Sequence, residues 1–231
     1  MSSAMRARGL CYAFGDNQVL DEVSVEVPWG AVTALVGSNG AGKSTLVELL
    51  AGVRRPRRGV IERDAEVALV VQRPAAPEAL CVTVWDVVTM GTWGASRHGP
   101  PSRSRADRAR TVRAAIARAD LVGLERQSFS TLSGGQRQRA LLAQGLARSA
   151  RILLLDEPAA GLDPESQTRT RAILAEEASR GVAVMCVTHD LADIAAADRV
   201  IRLERGAVLP RPPTLYSPRS TGRARQGATT A

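Results

Sequence analysis

The sequence predicts an α/β fold. Buried parallel strands alternate with helices, an antiparallel β unit stands near the start, and a helical unit is inserted in the middle. Three observations predict it. Gly37-Ser38-Asn39-Gly40-Ala41-Gly42-Lys43-Ser44 fits the pattern G-x-x-x-x-G-K-[ST] without a mismatch, between a β-prone run over 31–36 and a helical run over 45–51 closed by Gly52. Two short apolar runs, 152–155 and 182–187, suit strands buried on both faces. Residues 6–27 instead alternate, with Val19, Leu20, Val23, Val25 and Val27 among Asp, Glu and Ser around a turn at Gly15-Asp16-Asn17.

The remaining elements follow in order. Pro28-Trp29-Gly30 turns the chain into the strand before the glycine-rich loop. A basic turn over 56–59 precedes short strands over 60–62 and 67–71, the second ending at Gln72. From Arg73 to about Ala150 the character becomes helical. Thr83 caps a first helix, residues 91–101 form a loop rich in Gly, Pro and Ser, 106–122 has helical spacing with an arginine-rich outer face, and Leu132-Ser133 opens a helix that runs to Ala147. The α/β pattern then resumes. A helix over 167–179 closes at Gly181, a further helix covers 191–197, and strands lie near 200–203 and 207–209. After Pro210 the chain is mostly Pro, Ser, Thr, Gly, Ala and Arg and is expected to be disordered.

The motif residues carry the chemistry. The glycines let backbone N–H groups wrap a phosphate chain, and the helix start adds its partial positive charge. Lys43 is placed to reach the β- and γ-phosphates and Ser44 to ligate Mg²⁺. Lys43 is also the only lysine among 31 basic side chains, so arginine serves everywhere except here. Asp156 ends a buried run and precedes Glu157-Pro158. A carboxylate at that end of an open α/β sheet faces the ligand crevice, where Asp156 holds the Mg²⁺ largely through water and Glu157 polarises an attacking water. Leu132-Ser133-Gly134-Gly135-Gln136-Arg137 places a capping serine and two glycines at a helix start, which makes a second anion site. Two phosphate sites in one chain suggest two chains sharing nucleotide across an interface.

Composition bounds the alternatives. The net charge is +8 with a pI near 10.7, which admits nucleic acid or an anionic membrane surface. However, only 3% of the chain is aromatic, and the arginine clusters do not interleave with aromatics as a nucleic-acid platform would. They read as solvated faces and loops, and no nucleic-acid partner is expected. Cys11, Cys81 and Cys186 are scattered and odd in number, as suits small core residues in a reducing cytoplasm. The start lacks the apolar stretch of a signal peptide, and no apolar run approaches the length of a membrane span.

These residues resemble the ATP-binding cassette of an ABC transporter. The glycine-rich loop, Gln72, LSGGQ, Leu155-Asp156-Glu157, Gly161-Leu162-Asp163 and Thr188-His189-Asp190 stand in that family's order over about residues 6–209. The resemblance implies a P-loop NTPase (RecA-like) core with an N-terminal antiparallel β subdomain over 6–72 and 151–209, an inserted ABC α-helical subdomain over 73–150, and a basic tail over 210–231. It implies ATP and Mg²⁺ as cofactors, the nucleotide being held by residues 37–45, Thr45 included. Phe14 matches the aromatic that stacks on adenine, with Tyr12 the runner-up. Gln72 would touch Mg²⁺ or the lytic water, Glu157 would be the general base, and His189 would contact the γ-phosphate. Ser133, Gly134, Gly135 and Gln136 would act on the ATP of a second copy, and Asp163 would lie at that interface. Ser38 stands where many relatives have Pro, and Ala160-Gly161 where Ser-Ala is common.

The implied partners are a second copy, integral membrane permease subunits, and indirectly an extracytoplasmic solute-binding protein, with the chain on the cytoplasmic face of the membrane. The absence of a fused membrane segment suggests an importer made of separate chains. The short interval from Lys43 to Gln72 is similar to zinc and manganese importers, so the first expectation is uptake of a divalent metal. The alternatives are import of ferric siderophore, haem or cobalamin, or a soluble cassette acting on nucleic acid or the ribosome. The last class usually carries tandem cassettes or long coiled-coil insertions, and this sequence shows neither.

Overall fold

The computed structural model describes residues 2–71, 82–93 and 104–210. Gln72, Cys81, most of the loop over 91–101 and the tail from Arg211 lie outside the described residues.

The alternating N-terminal segment forms two long strands, β1 (Ser3–Phe14) and β2 (Asn17–Pro28), antiparallel about Gly15-Asp16. β3 (Val32–Val36) and α1 (Lys43–Ala51) flank the glycine-rich loop. β4 (Arg58–Arg63) joins the free side of β1, giving a three-stranded sheet in the order β2-β1-β4. Its alternation is physical, because Leu10, Leu20, Val23, Val25 and Val27 are buried while the residues between them face water.

The second sheet has six strands in the order β5-β6-β7-β3-β8-β9. These are β5 (Val67–Val70), β6 (Ile152–Asp156), β7 (Ala183–Val187), β3, β8 (Arg199–Glu204) and β9 (Ala207–Val208). All pairings are parallel except β9, which folds back on β8. β6 and β7 show why their sequences are wholly apolar. Ile152, Leu154, Ala183, Met185 and Val187 enter the core shared with α1 and the antiparallel sheet, whereas Leu153, Leu155, Val184 and Cys186 enter the core shared with the helical unit. Each face of these strands meets a different apolar layer. Cys11 and Cys186 are buried, and burial pushes the Cys186 thiol up, so both behave as small core residues.

The helical unit comprises α2 (Val84–Met90), α3 (Arg105–Arg118) and α4 (Gly134–Ala147). Thr83 and Asp86 close a capping box on α2, and Ser104 caps α3. α3 stops before Val122 because Asp120 turns with φ at 55°. Glu177, on α5 (Pro164–Ser179), is fully buried and accepts hydrogen bonds from Arg118 of α3 and Arg180, fastening the helical unit to the sheet layer. α5 begins three residues before the expected start. Asp163 caps it by accepting from the Ser166 N–H at 2.9 Å, and Pro164 occupies its first turn, where a missing N–H is harmless. α6 (Leu191–Ala196) follows β7.

Candidate nucleotide site

Parallel pairing brings the chemistry to one edge. Leu35 pairs with Val187 and Asp156 with Val187, so the C-terminal ends of β3, β6 and β7 lie level. The glycine-rich loop, Glu157 and Thr188-His189 leave those ends together, at the crevice where open α/β sheets hold ligands.

The loop is wedged in place. Gly42 has φ at 98°, and a Cβ there would sit 2.8 Å from Leu20 Cδ2 and 3.0 Å from the Val19 carbonyl, so only glycine lets the loop pass under β2. The Gly206 N–H donates to the Ala41 carbonyl at 3.2 Å, and the Asp21 N–H donates to the Gly206 carbonyl at 2.9 Å. The β8–β9 turn thus ties the loop to β2. Lys43 is buried at the first position of α1 and donates from Nζ to the carbonyls of Gly37 at 2.8 Å and Ser38 at 2.9 Å. Its ammonium is held over the loop that its backbone closes.

Ser44 stands beside Asp156 and acts to lower the pKa of its carboxylate. Burial raises the Asp156 pKa, with Glu157 and Glu48 nearby adding to the effect; Ser44 and Lys43 offset part of it. A half-buried carboxylate under that load is a fitting place for a cation. Ser44 and Asp156 supply the hydroxyl and carboxylate oxygens that a hard divalent ion takes.

Glu157 stands with φ at 49°, a left-handed conformation unusual for a glutamate, and its N–H donates to the Val187 carbonyl at 3.1 Å. That turn aims its side chain at the cleft lined by Glu157, Ala160, Gly161, Gln167, His189 and Asp190. Glu157 Oε1 lies 3.7 Å from His189 Nδ1.

The signature segment lies apart from the loop. Ser133 and Gln136 close a capping box on α4, with Ser133 Oγ accepting from the Gln136 N–H at 3.2 Å and Gln136 Oε1 accepting from the Ser133 N–H at 3.0 Å. The atom nearest Gly134 belongs to Leu162, and the atoms nearest Gly135 to Ser166, so the signature abuts the Gly161-Leu162-Asp163 turn rather than the phosphate loop. A Cβ on Gly135 would fall 2.1 Å from Ser166 Oγ, which is why glycine stands there. Hydrogen bonding to Ser166 lowers the pKa of Asp163, keeping it ionised as the cap of α5.

At the other end, Phe14 is 46% exposed while Tyr12 is partly buried against the core, and their rings meet edge to face at 5.1 Å. Arg54 has no signature in the sequence, where it is one of a cluster of arginines just before the basic turn. Its guanidinium lies 4.9 Å from the Phe14 ring centroid and donates to the Tyr12 hydroxyl at 3.3 Å, held there by Glu48 of α1.

The ABC transporter family model matches residues 20–160, which include the loop, the signature and Glu157. The chain belongs to the ABC transporter family. It is an ATP-binding subunit of such a transporter and an ATPase coupled to transport. It is 40% identical over 218 residues to the hemin import ATP-binding protein HmuV of Thermobifida fusca, covering 87% of this chain and 74% of that protein. It is 37% identical over 198 residues to the zinc import ATP-binding protein ZnuC 2 of Aliivibrio fischeri, covering 84% and 76%. Among solved structures, an inward-facing transporter described as metal-chelate type aligns with a TM-score of 0.80 at 29% identity, over 90% of this ABC subunit and 82% of that chain. The mixed α/β cassette fold expected from the sequence is the fold of these relatives.

Proposed function

We propose that this ABC subunit powers import of haem or a similar metal chelate through a separate membrane permease. The carrying observation is the likeness to a hemin importer, joined by the likeness to a metal-chelate transporter structure. The zinc or manganese reading rested on the short interval before Gln72, and it has a relative of its own in the zinc importer. The two chelate-related matches favour the haem alternative over it. In this reading the permease is a separate partner, and the subunit sits on the cytoplasmic membrane face as a dimer; among the described residues no helix is long and apolar enough to cross a membrane.

In this reading the loop N–H groups and Lys43 bind the phosphates of ATP, and Phe14 carries the adenine. Ser44 and Asp156 would hold Mg²⁺, which supplies charge neutralisation on the phosphates when bound. Gln72 joins them from outside the described residues. Glu157 takes the proton of the attacking water, and His189 donates to the γ-phosphate end. Ser133, Gly134, Gly135 and Gln136 of one copy close over the ATP of the other, with Asp163 at the seam. The packing of Gly135 on Ser166 supports this arrangement, because it sets the signature beside the helix that Asp163 caps.

The test is growth of a deletion strain on hemin as sole iron source, complemented with wild type or Glu157→Gln. Rescue by wild type alone supports the reading. Normal growth of the deletion strain on hemin, with growth lost under zinc chelation, returns the subunit to zinc.

A further inference from the structure

His189 is held only loosely by its own side chain. Its side chain is 71% exposed, so its position is set by the backbone on either side. On one side, the Thr188 N–H donates to the Leu35 carbonyl at 3.2 Å, and Thr188 Oγ1 donates to Asp193 Oδ2 at 2.8 Å. On the other, the Asp190 N–H donates to Thr188 Oγ1 at 3.1 Å, and Asp190 Oδ1 accepts from the Ala192 and Asp193 N–H groups. Both sides therefore converge on Asp193. Asp193 is in turn held from a different element, because Arg171 of α5 donates from Nε to Asp193 Oδ1 at 2.9 Å and places Nη2 3.9 Å from Asp190 Oδ1.

This pair is not a surface ion pair. The Arg171 and Asp193 side chains keep only 25% and 14% of their exposure, so their interaction is weakly screened and geometrically fixed. Arg171 also stands about two turns along α5 from its cap, Asp163. One rigid helix thus carries the seam residue at its start and the anchor of the histidine loop further on.

We propose that Arg171 and Asp193 are positioning residues for His189, fixing the Thr188-His189-Asp190 backbone so that the imidazole is presented at the γ-phosphate end of the site. Neither belongs to any motif that marks the site in the sequence. The proposal rests on the action of His189 read above.

The experiment measures ATP turnover and ATP binding of the full chain for His189→Ala, Arg171→Met, Arg171→Lys and Asp193→Asn. His189→Ala abolishes turnover. Arg171→Met and Asp193→Asn each lower kcat by about ten-fold while KM for ATP stays within about two-fold, the mark of an interaction used only in the transition state. The double variant is no worse than either single one, since both break one chain of contacts. Arg171→Lys recovers part of the loss. A loss of fold alone would reduce bound ATP in step with turnover and would not show that split. Should Arg171→Met not fold, Arg171→Lys and Asp193→Asn carry the comparison. Wild-type kcat in Arg171→Met and Asp193→Asn, with His189→Ala inactive, overturns the positioning role and leaves the histidine reading intact. Wild-type turnover in His189→Ala overturns both.

Discussion

Glu157 Oε1 and His189 Nδ1 face each other at 3.7 Å across the cleft, too far for a hydrogen bond. The two side chains are held independently, Glu157 by its left-handed turn onto the Val187 carbonyl and His189 through Thr188. Neither depends on the other for its place. Glu157→Gln keeps the shape but cannot accept the water's proton. It is expected to bind ATP with unchanged affinity and to hydrolyse it at least ~100-fold more slowly. Size-exclusion chromatography with ATP is expected to show it accumulating as a dimer.

Asp156→Asn separates stability from activity. Burial raises the folded-state pKa of Asp156 above its ordinary 3.8, so its ionised form is disfavoured by folding. The sign follows from proton binding: the native state binds the proton more tightly, the carboxylate adds no penalty below about its ordinary pKa, and the full penalty applies above the raised one. At pH 7 without nucleotide the Asn variant is therefore expected to melt a few degrees higher than wild type, and the gap is expected to close towards pH 3. Its hydrolysis is expected to be lost. Thermal scans at both pH values check this.

Phe14→Ala tests the base platform. Phe14 is the exposed member of the aromatic pair, and the Tyr12 hydroxyl is engaged by Arg54. Stacking on a base contributes on the order of 1–3 kcal/mol, so KM for ATP is expected to rise about ten-fold with kcat little changed. Steady-state kinetics of Phe14→Ala beside Tyr12→Ala read the difference.

Gly135→Ala tests the contact between the signature helix and α5. The added methyl would meet Ser166 Oγ at 2.1 Å and its Cβ at 2.6 Å. Overpacking of this kind costs roughly 1–3 kcal/mol. Urea unfolding is expected to show that loss, and Ser166→Gly in the same chain is expected to recover most of it.

Much of the fold was legible because its signals are local. The alternation of β2, the doubly buried β6 and β7, and the caps at Thr83 and Ser133 each follow from a few neighbouring residues. α5 starts three residues earlier than its apolar spacing predicts, because Asp163 caps it through Ser166 and Pro164 fits its first turn. Among the described residues the glycine-rich loop, Asp156, Glu157 and His189 leave the level ends of β3, β6 and β7, whereas Asp163 lies with Ser133–Gln136, whose place beside Ser166 needed the packing of α4 on α5. Arg54, Arg171 and Asp193 were not legible. Their partners lie 40, 22 and 5 to 22 residues away in sequence, and an arginine in a basic chain carries no signature of the contact it will make.

The sharing of sites between two copies is tested most directly by Ser133→Arg. The substitution leaves the chain's own glycine-rich loop untouched and places a bulky cation at the capping box that would close over the other copy's ATP. ATP binding is expected to stay within about two-fold of wild type while hydrolysis falls at least ~100-fold, as for loss of an interaction made only in the transition state. Normal hydrolysis by Ser133→Arg alone would contradict a site built from two chains.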